Sequence, residues 1–395
     1  MNPSTAKLWK SNGNLIFLPE ELIVQVLSYL PVKSLTQLRC VNKAWNTIIS
    51  DPKFIKLHLQ RSTKDRRNLT QILCFFKDSC MQPYPLNALL NTPSMDVPTI
   101  DYTEIFFSHG SNPLVSNLLY QFIGSCNGLL CFQVFSPTDF QNTLFQLWNP
   151  ATKAFSIYFG PHSNSHTHIY DYLRFSKFSF GYDNSTNTYK ILYMSPNKFE
   201  IFSYGGNVWK LIQLFHVVPL DHWNIAPKKR RFYNQDMYLN DTINFLARDI
   251  AQHIVIISLN LGTETYHELL PPRDFVEVRL HLPTISVLED SLCFCHHTQK
   301  TDFIIWKMKE LGIEKAWTQF LKISYHDLDI RIKYRYFLTP LCVYESGIAL
   351  ILSNRRRGLE VIIYNLSDNR IEKTRLSNLK WIFPYNYVES LVSPY

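Results

Sequence analysis

Glycine is scarce, 12 of 395 residues. No Gly-x-x-x-x-Gly-Lys-Ser/Thr loop cradles a phosphate, no Gly-x-Ser-x-Gly turn presents a nucleophile, and no His-Glu-x-x-His helix binds zinc. No run reaches the ~18–20 apolar residues that cross a bilayer. The first residues, Met1 to Asn14, are polar, and the apolar stretch Leu15–Leu18 stops at Pro19, too short for a signal peptide core. The eight cysteines are scattered rather than clustered as a small disulfide framework. A reduced protein of the cytoplasm or nucleus is the expectation, and the four Asn-x-Ser/Thr sequons then stand as chance matches. Charge is also thin: 18% of residues, with a mild excess of +8.

What the chain has is aromatic and apolar side chains, 14% and 46% of residues. Abundant Phe, Tyr and Trp with 21 Pro favours strands and turns over helix bundles. The composition predicts a mostly β protein with a large core.

The chain divides near residue 61. In Pro19–Leu30, Leu22, Ile23, Val26, Leu27 and Leu30 recur at three- and four-residue steps, filling an arc of roughly 140° at 100° per residue. Pro19 suits a first helical turn and Pro31 ends the helix. A second short helix fits Val32–Val41. Asn42 caps a third carrying Ala44, Trp45, Ile48 and Ile49, and Asp51-Pro52 opens a fourth.

From Leu69 the period becomes two. Expected strands are Leu69–Phe76, Leu129–Phe135, Leu144–Trp148, Phe178–Tyr182, Tyr189–Met194, Phe199–Tyr204, Thr242–Leu246, Ile254–Leu259, Ser291–Cys295, Phe303–Met308, Ile348–Leu352 and Leu359–Tyr364. Lys77–Gly110 reads as loop with one or two strands. Leu239-Asn-Asp-Thr-Ile243, Leu288-Glu-Asp-Ser-Leu292 and Tyr344-Glu-Ser-Gly-Ile348 each read as strand, tight turn, strand, at a spacing near 50 residues. Each is followed by an apolar strand and a second turn. A four-stranded unit of that size is a propeller blade; an antiparallel sandwich with coincidental spacing is the bland alternative.

Cys293-Phe-Cys295-His296-His297 is the one tight Cys/His cluster, and on a strand Cys293, Cys295 and His297 share a face. Structural zinc sites space their cysteines by two to four residues and need four ligands, so the expectation is core cysteines and no metal. His162, His166 and His168 fall in a Ser/Asn/His loop. Basic runs at Lys228–Arg231 and Arg355–Arg357, with Arg61, Lys64, Arg66 and Arg67, read as solvated loops. The first could act as a nuclear import signal, and the first two could grip an acidic or phosphorylated substrate through Arg forks. Single-stranded nucleic-acid binding is disfavoured, because the aromatics sit at strand-periodic positions that belong to the core.

The helical segment is dense in apolar residues, more than so short a bundle can bury; the surplus faces its own β domain or another protein. Here the order of residues matters. Leu18-Pro19-Glu20-Glu21-Leu22, Leu30-Pro31-Val32-Lys33-Ser34-Leu35, Arg39-Cys40-Val41-Asn42-Lys43-Ala44-Trp45 and Ile48-Ile49-Ser50-Asp51-Pro52 with Phe54 resemble a plant F-box. Asn42 departs from the commoner Ser, but both cap helices. Gly124–Cys131, Leu147–Lys153, Phe180–Asp183 with Tyr189-Lys190, and Leu261–Tyr266 are similar to the F-box-associated (kelch-like) domain of the same proteins. The single Gly205-Gly206 pair fits strict kelch blades poorly.

The resemblance implies an F-box module over 15–61 and a β domain of four-stranded, propeller-like repeats over 62–395. It implies docking on a Skp-family adaptor, and through it a cullin, as the non-catalytic substrate receptor of an SCF-type ubiquitin ligase. The expected adaptor contacts are Leu18, Pro19, Leu22, Ile23, Leu27, Leu30, Pro31, Leu35 and Trp45, with Arg39 and Lys43 at the rim. Some of these must also hold the bundle itself together. The substrate is an unknown protein, with a carbohydrate-reading β domain as the alternative. No cofactor, metal or membrane is expected.

Overall fold

The computed structural model describes the chain except for residues 1–7, 12–13, 18, 65–70, 77–80, 86–118, 136–143, 161–176, 196–197, 207, 213–215, 221–235, 279–280, 299–300, 310–316, 329–336, 356–357 and 377–378. The basic run 228–231, Arg66, Arg67, Arg356, Arg357 and the three loop histidines lie outside the described residues.

Four helices lead, α1 (Glu20–Leu27), α2 (Val32–Arg39), α3 (Lys43–Ser50) and α4 (Pro52–Lys64). They begin where the sequence places its proline and Asx signals. Asn42 accepts a hydrogen bond from the Trp45 amide at 2.9 Å, and Asp51 accepts one from the Lys53 amide at 2.7 Å, each satisfying a donor that the first helical turn leaves unpaired. The fourth helix runs three residues past the expected break at 61. Ahead of the helices, Leu8–Ser11 pairs with Asn14–Phe17 as a hairpin that the polar composition of the first residues did not reveal.

Five blades follow, each an antiparallel sheet. Blade 1 holds Leu119–Cys126, Leu129–Phe135, Leu144–Asn149 and Ala154–Phe155; blade 2 holds Lys177–Asp183, Thr188–Ser195, Lys198–Ser203 and Trp209–Leu211. Blade 3 builds its first strand from two pieces, Val218–Pro219 and Met237–Leu239, followed by Thr242–Arg248, Ile254–Asn260 and Tyr266–Leu269. Blade 4 holds Thr284–Leu288, Ser291–His297, Asp302–Met308 and Trp317–Ser324; blade 5 holds Phe337–Val343, Ile348–Arg355, Gly358–Asn365 and Ile371–Leu376. A three-stranded sheet closes the circle: Leu379–Tyr387 pairs with Gln71–Phe76, which pairs with Met81–Pro85. First strands of neighbouring blades pack on one another from blade 1 to 2, 3 to 4 and 4 to 5; between blades 2 and 3, Lys177–Asp183 packs on Thr242–Arg248, and Leu379–Tyr387 packs on blades 5 and 1. The protein is thus mostly β, with N-terminal helices and a five-bladed propeller sealed by the closing sheet. Every strand expected from the sequence is present.

Turn chemistry sets the repeat. Asn127-Gly128, Asn240-Asp241 and Glu289-Asp290 join first to second strands in blades 1, 3 and 4, and both residues of each pair have positive φ. Such two-residue turns match the right-handed twist of the strands they join. A second turn recurs after the third strand. Asn149, Asn260 and Asn365 each accept a hydrogen bond from the amide two residues on, at 3.0, 2.9 and 2.9 Å. Lys153, Glu264 and Asn369, four residues further, take positive φ. Side-chain oxygen thus stands in for a backbone acceptor while the chain reverses.

The cores lie between blades. Leu192, Ile201, Phe245 and Ile257 fill the space between blades 2 and 3, and Cys293, Cys295, Phe303, Ile351 and Ile362 that between blades 4 and 5. Phe145, Trp148, Phe202, Phe245, Phe294 and Phe303 are almost wholly enclosed, which is where much of the aromatic surplus goes. Gly181 is a close-approach position: a Cβ there would stand 2.7 Å from both Leu261 and Tyr238 of blade 3.

Polar groups lock the same junction. Lys190 lies 3.0 Å from Asp183 and 3.2 Å from Glu264, and donates to the Leu261 carbonyl at 2.5 Å. Asp183 is fully buried and also accepts from Ser185 and Thr186. Burial alone would raise its carboxyl pKa; the hydrogen bonds outweigh that and hold it well below the usual carboxylate range.

Candidate functional site

The candidate site is the helical module. Its α1 helix starts on Pro19, whose ring pre-sets the first turn, and Glu20 and Glu21 face the positive end of the helix dipole. Arg61 of α4 secures the other end of α1. Its guanidinium donates to the Gln25 carbonyl at 2.9 Å and to the Ser28 hydroxyl, and lies 4.4 Å over the Tyr29 ring. His58 lies 2.9 Å from the Leu30 carbonyl, to which its Nε2–H donates. Burial lowers the His58 pKa, against the smaller opposing effects of that carbonyl and of Glu389.

Inside the bundle, Leu27, Val32, Leu35, Ile49 and Phe54 form the core, with Ile23, Val24, Leu30, Leu38, Trp45, Ile48 and Ile55 packed against it. One more buried member, Leu391, comes from the far end of the chain.

The apolar stripe of α1 divides in two. With about 100° per residue, Ile23, Leu27 and Leu30 cluster on one side, and Leu22, Val26 and Tyr29 on the neighbouring side. The first group points inward. The second is exposed, at 45%, 63% and 71%, and Val41 after α2 is 63% exposed.

Of the residues singled out from the sequence, Leu27 and Leu35 are buried in the bundle core, and Ile23, Leu30 and Trp45 are half-buried against it. Pro19, Leu22, Pro31, Arg39 and Lys43 are exposed. Leu18 lies outside the described residues. Arg39 donates to Asn46 at 3.1 Å, which ties α2 to α3. Sequence reasoning left Val26, Tyr29 and Val41 out. Val26 was visible only as one more member of the stripe, and Tyr29 lies in step with it at i, i+4 and i+7 from Leu22.

Replacing the Asn42 cap with alanine should cost about 1 kcal/mol, because the Trp45 amide loses its acceptor. Hydrogen exchange on the full chain should show faster exchange confined to the first turn of α3; unchanged protection there would count against the cap.

The Cys/His cluster is a different kind of feature. Cys293 and Cys295 fill the core between blades 4 and 5, and burial pushes the Cys293 thiol up to about 12. Burial and neighbouring histidines pull His297 down to about 3, and its Nδ1 is engaged by the Tyr325 hydroxyl. Among the described residues, no group of three His, Cys, Asp or Glu is placed to hold a metal ion.

Residues 15–59 match the F-box-like family. Over nearly the whole chain the protein is similar to the F-box/kelch-repeat protein At3g23880 of Arabidopsis thaliana, 25% identical over 392 residues, covering 95% of this chain and 96% of that one. The putative F-box protein At5g52610 of the same plant is 32% identical over 213 residues, half of each chain. Among solved structures, AofleA from Arthrobotrys oligospora overlaps 66% of this chain and 73% of its own at a TM-score of 0.39 and 13% identity. The helices match the F-box-like family, and the chain is similar to an Arabidopsis F-box/kelch-repeat protein along most of its length. No helix among the described residues is long and apolar enough to cross a membrane.

Proposed function

We propose that the protein is the substrate-recognition subunit of an SCF-type ubiquitin ligase. In this reading the module of residues 15–61 docks on a Skp-family adaptor carried by a cullin, and the β domain of residues 62–395 holds a protein substrate. The observation that carries it is the outward stripe Leu22, Val26 and Tyr29 on a domain matching the F-box-like family. An apolar helical face at i, i+4 and i+7 is the form in which one helix lies against partner helices. Large side chains such as Tyr29 and the half-buried Trp45 suit the role of anchors. Arg39 and Lys43 stand beside them as exposed charges that steer encounter more than they add affinity. The chain supplies no chemistry of its own; it contributes effective concentration by holding the substrate beside the transferring enzyme. Such a receptor works in the cytoplasm or nucleus.

The test is Leu22→Asp with Val26→Asp. Both side chains are exposed, so the ring and the bundle core should stay intact. Adaptor affinity should fall about 100-fold or more, the loss of roughly 3 kcal/mol that two interface anchors supply. Affinity within twofold of the unsubstituted chain in a titration would overturn the reading.

A further inference from the structure

Residues 388–395 lie along blade 1, and two neighbouring side chains of the segment, Leu391 and Val392, pack on two different bodies. Leu391 enters the helical core beside Leu27, Leu35 and Phe54. Its neighbour Val392 turns the other way and packs on the aromatic core of blades 1 and 2. Hydrogen bonds fix the segment to the ring: Asn149 donates to the carbonyls of Ser390 at 3.0 Å and Val392 at 2.7 Å. The Ser390 hydroxyl donates to the Asn127 carbonyl at 2.7 Å, and the Tyr204 hydroxyl donates to the Pro394 carbonyl at 2.9 Å. Ala151, in the turn after the third strand of blade 1, lies against the helical core. Among the described residues, this segment and one blade-1 turn join the module to the ring, on the face carrying the first-to-second and third-to-fourth strand turns.

We propose that residues 388–395 form a strap that sets the orientation of the helical module on the propeller, with Leu391 as its positioning residue. A bundle joined to a ring only by the connection after α4 would swing, because short linkers leave relative motion free unless an apolar interface stops it. Leu391 supplies that stop. The strap holds the module whether or not the module docks an adaptor, so adaptor binding is scored separately. If the module does dock one, the strap fixes where the opposite face of the propeller sits relative to the adaptor, which is a geometric setting rather than a contact with either partner.

The experiment uses the full chain with encoded fluorophores at Lys56 on α4 and Asp368 in the last turn of blade 5, both exposed. Single-molecule energy transfer on the unsubstituted chain should give one narrow distance distribution. Leu391→Arg, which places a charge in the apolar core of the module, should broaden it about twofold. Helical circular dichroism reports whether the helices persist. If Leu391→Arg unfolds them, Val392→Asp with Tyr204→Phe loosens the strap on the ring side and leaves Asn149, and with it the turn carrying Ala151, in place; the same broadening is expected. A distribution as narrow as that of the unsubstituted chain in a variant with intact helices would overturn the strap. Adaptor pull-down of the same variants reports on the docking face alone: loss of binding without broadening argues against the strap, and broadening with binding kept supports it.

Discussion

Asp183→Ala should destabilise the propeller by about 3–5 kcal/mol, the range seen when one partner is taken from a buried ion pair. Asp183 is fully enclosed and takes hydrogen bonds from Ser185 and Thr186 as well as the ammonium of Lys190. Its loss strands Lys190, itself 4% exposed, with Glu264 and the Leu261 carbonyl as its remaining partners. Chemical denaturation followed by tryptophan fluorescence should show the shift, and adding Lys190→Met should recover part of it, since the two sites share one network. The pH dependence follows from the depressed carboxyl. A carboxylate held below its unfolded value of about 3.9 contributes its full stabilisation above that pH and loses it as pH falls toward the folded value. The alanine variant should therefore show a shallower acid slope. A loss under ~0.5 kcal/mol, ordinary for a surface position, would mean that Asp183 does not steady the Lys190 ammonium that reaches Glu264 and the Leu261 carbonyl of blade 3.

Gly128→Ala is the second large effect, and Gly205→Ala is its control. Both glycines have positive φ, +77° and +85°, so both substitutions meet the left-handed penalty of roughly 1–2 kcal/mol. They differ in their surroundings. A Cβ at 128 would stand 2.4 Å from the Ser390 hydroxyl and 2.7 Å from the Val388 carbonyl, whereas nothing lies within 4 Å of one at 205. Overpacking adds about 1–3 kcal/mol, so the first substitution should cost roughly 2–5 kcal/mol and the second about 1–2. Thermal unfolding of the two variants separates them. Equal losses would show that the segment yields freely to position 128.

The helices were legible because their boundaries are written in local chemistry: Pro19, Asn42 and Asp51 act on backbone groups within a few residues. The middle strands of each blade were legible for a related reason, since residues 129–134 and 254–259 are buried continuously and are mostly apolar. First and last strands were harder to read. Ile371–Leu376 is a polar outer strand with one pairing partner, and Trp209–Leu211 has three residues, too few to show a period. Phe337–Val343 contains Pro340, which cannot donate to the ladder, and the register shifts between Pro340 and Cys342. The first strand of blade 3 was legible only at its end, Leu239; its other piece, Val218–Pro219, has two residues and shows no period.

The stripe on α1 was legible as a stripe and not as two faces. Leu22 and Leu27 are equally apolar, and only the positions of α2, α3 and α4 decide which is covered. Leu391 gave no local signal at all. It completes a core whose other buried members lie before residue 55, and nothing short-range connects them.

The seam of the ring also has a consequence for biosynthesis. Leu379–Tyr387 must find Gln71–Phe76 across all five blades, and Leu391 must find the first helices across an even longer stretch. Among the described strands, the closing one leaves the ribosome last, with Leu391 a few residues behind it. Pairings of such sequence separation form late and slowly. A nascent chain with five complete blades therefore still has an open edge and an unfinished helical core. Both are completed by the same short stretch, so a product cut short before it lacks the closed ring and the filled helical core alike.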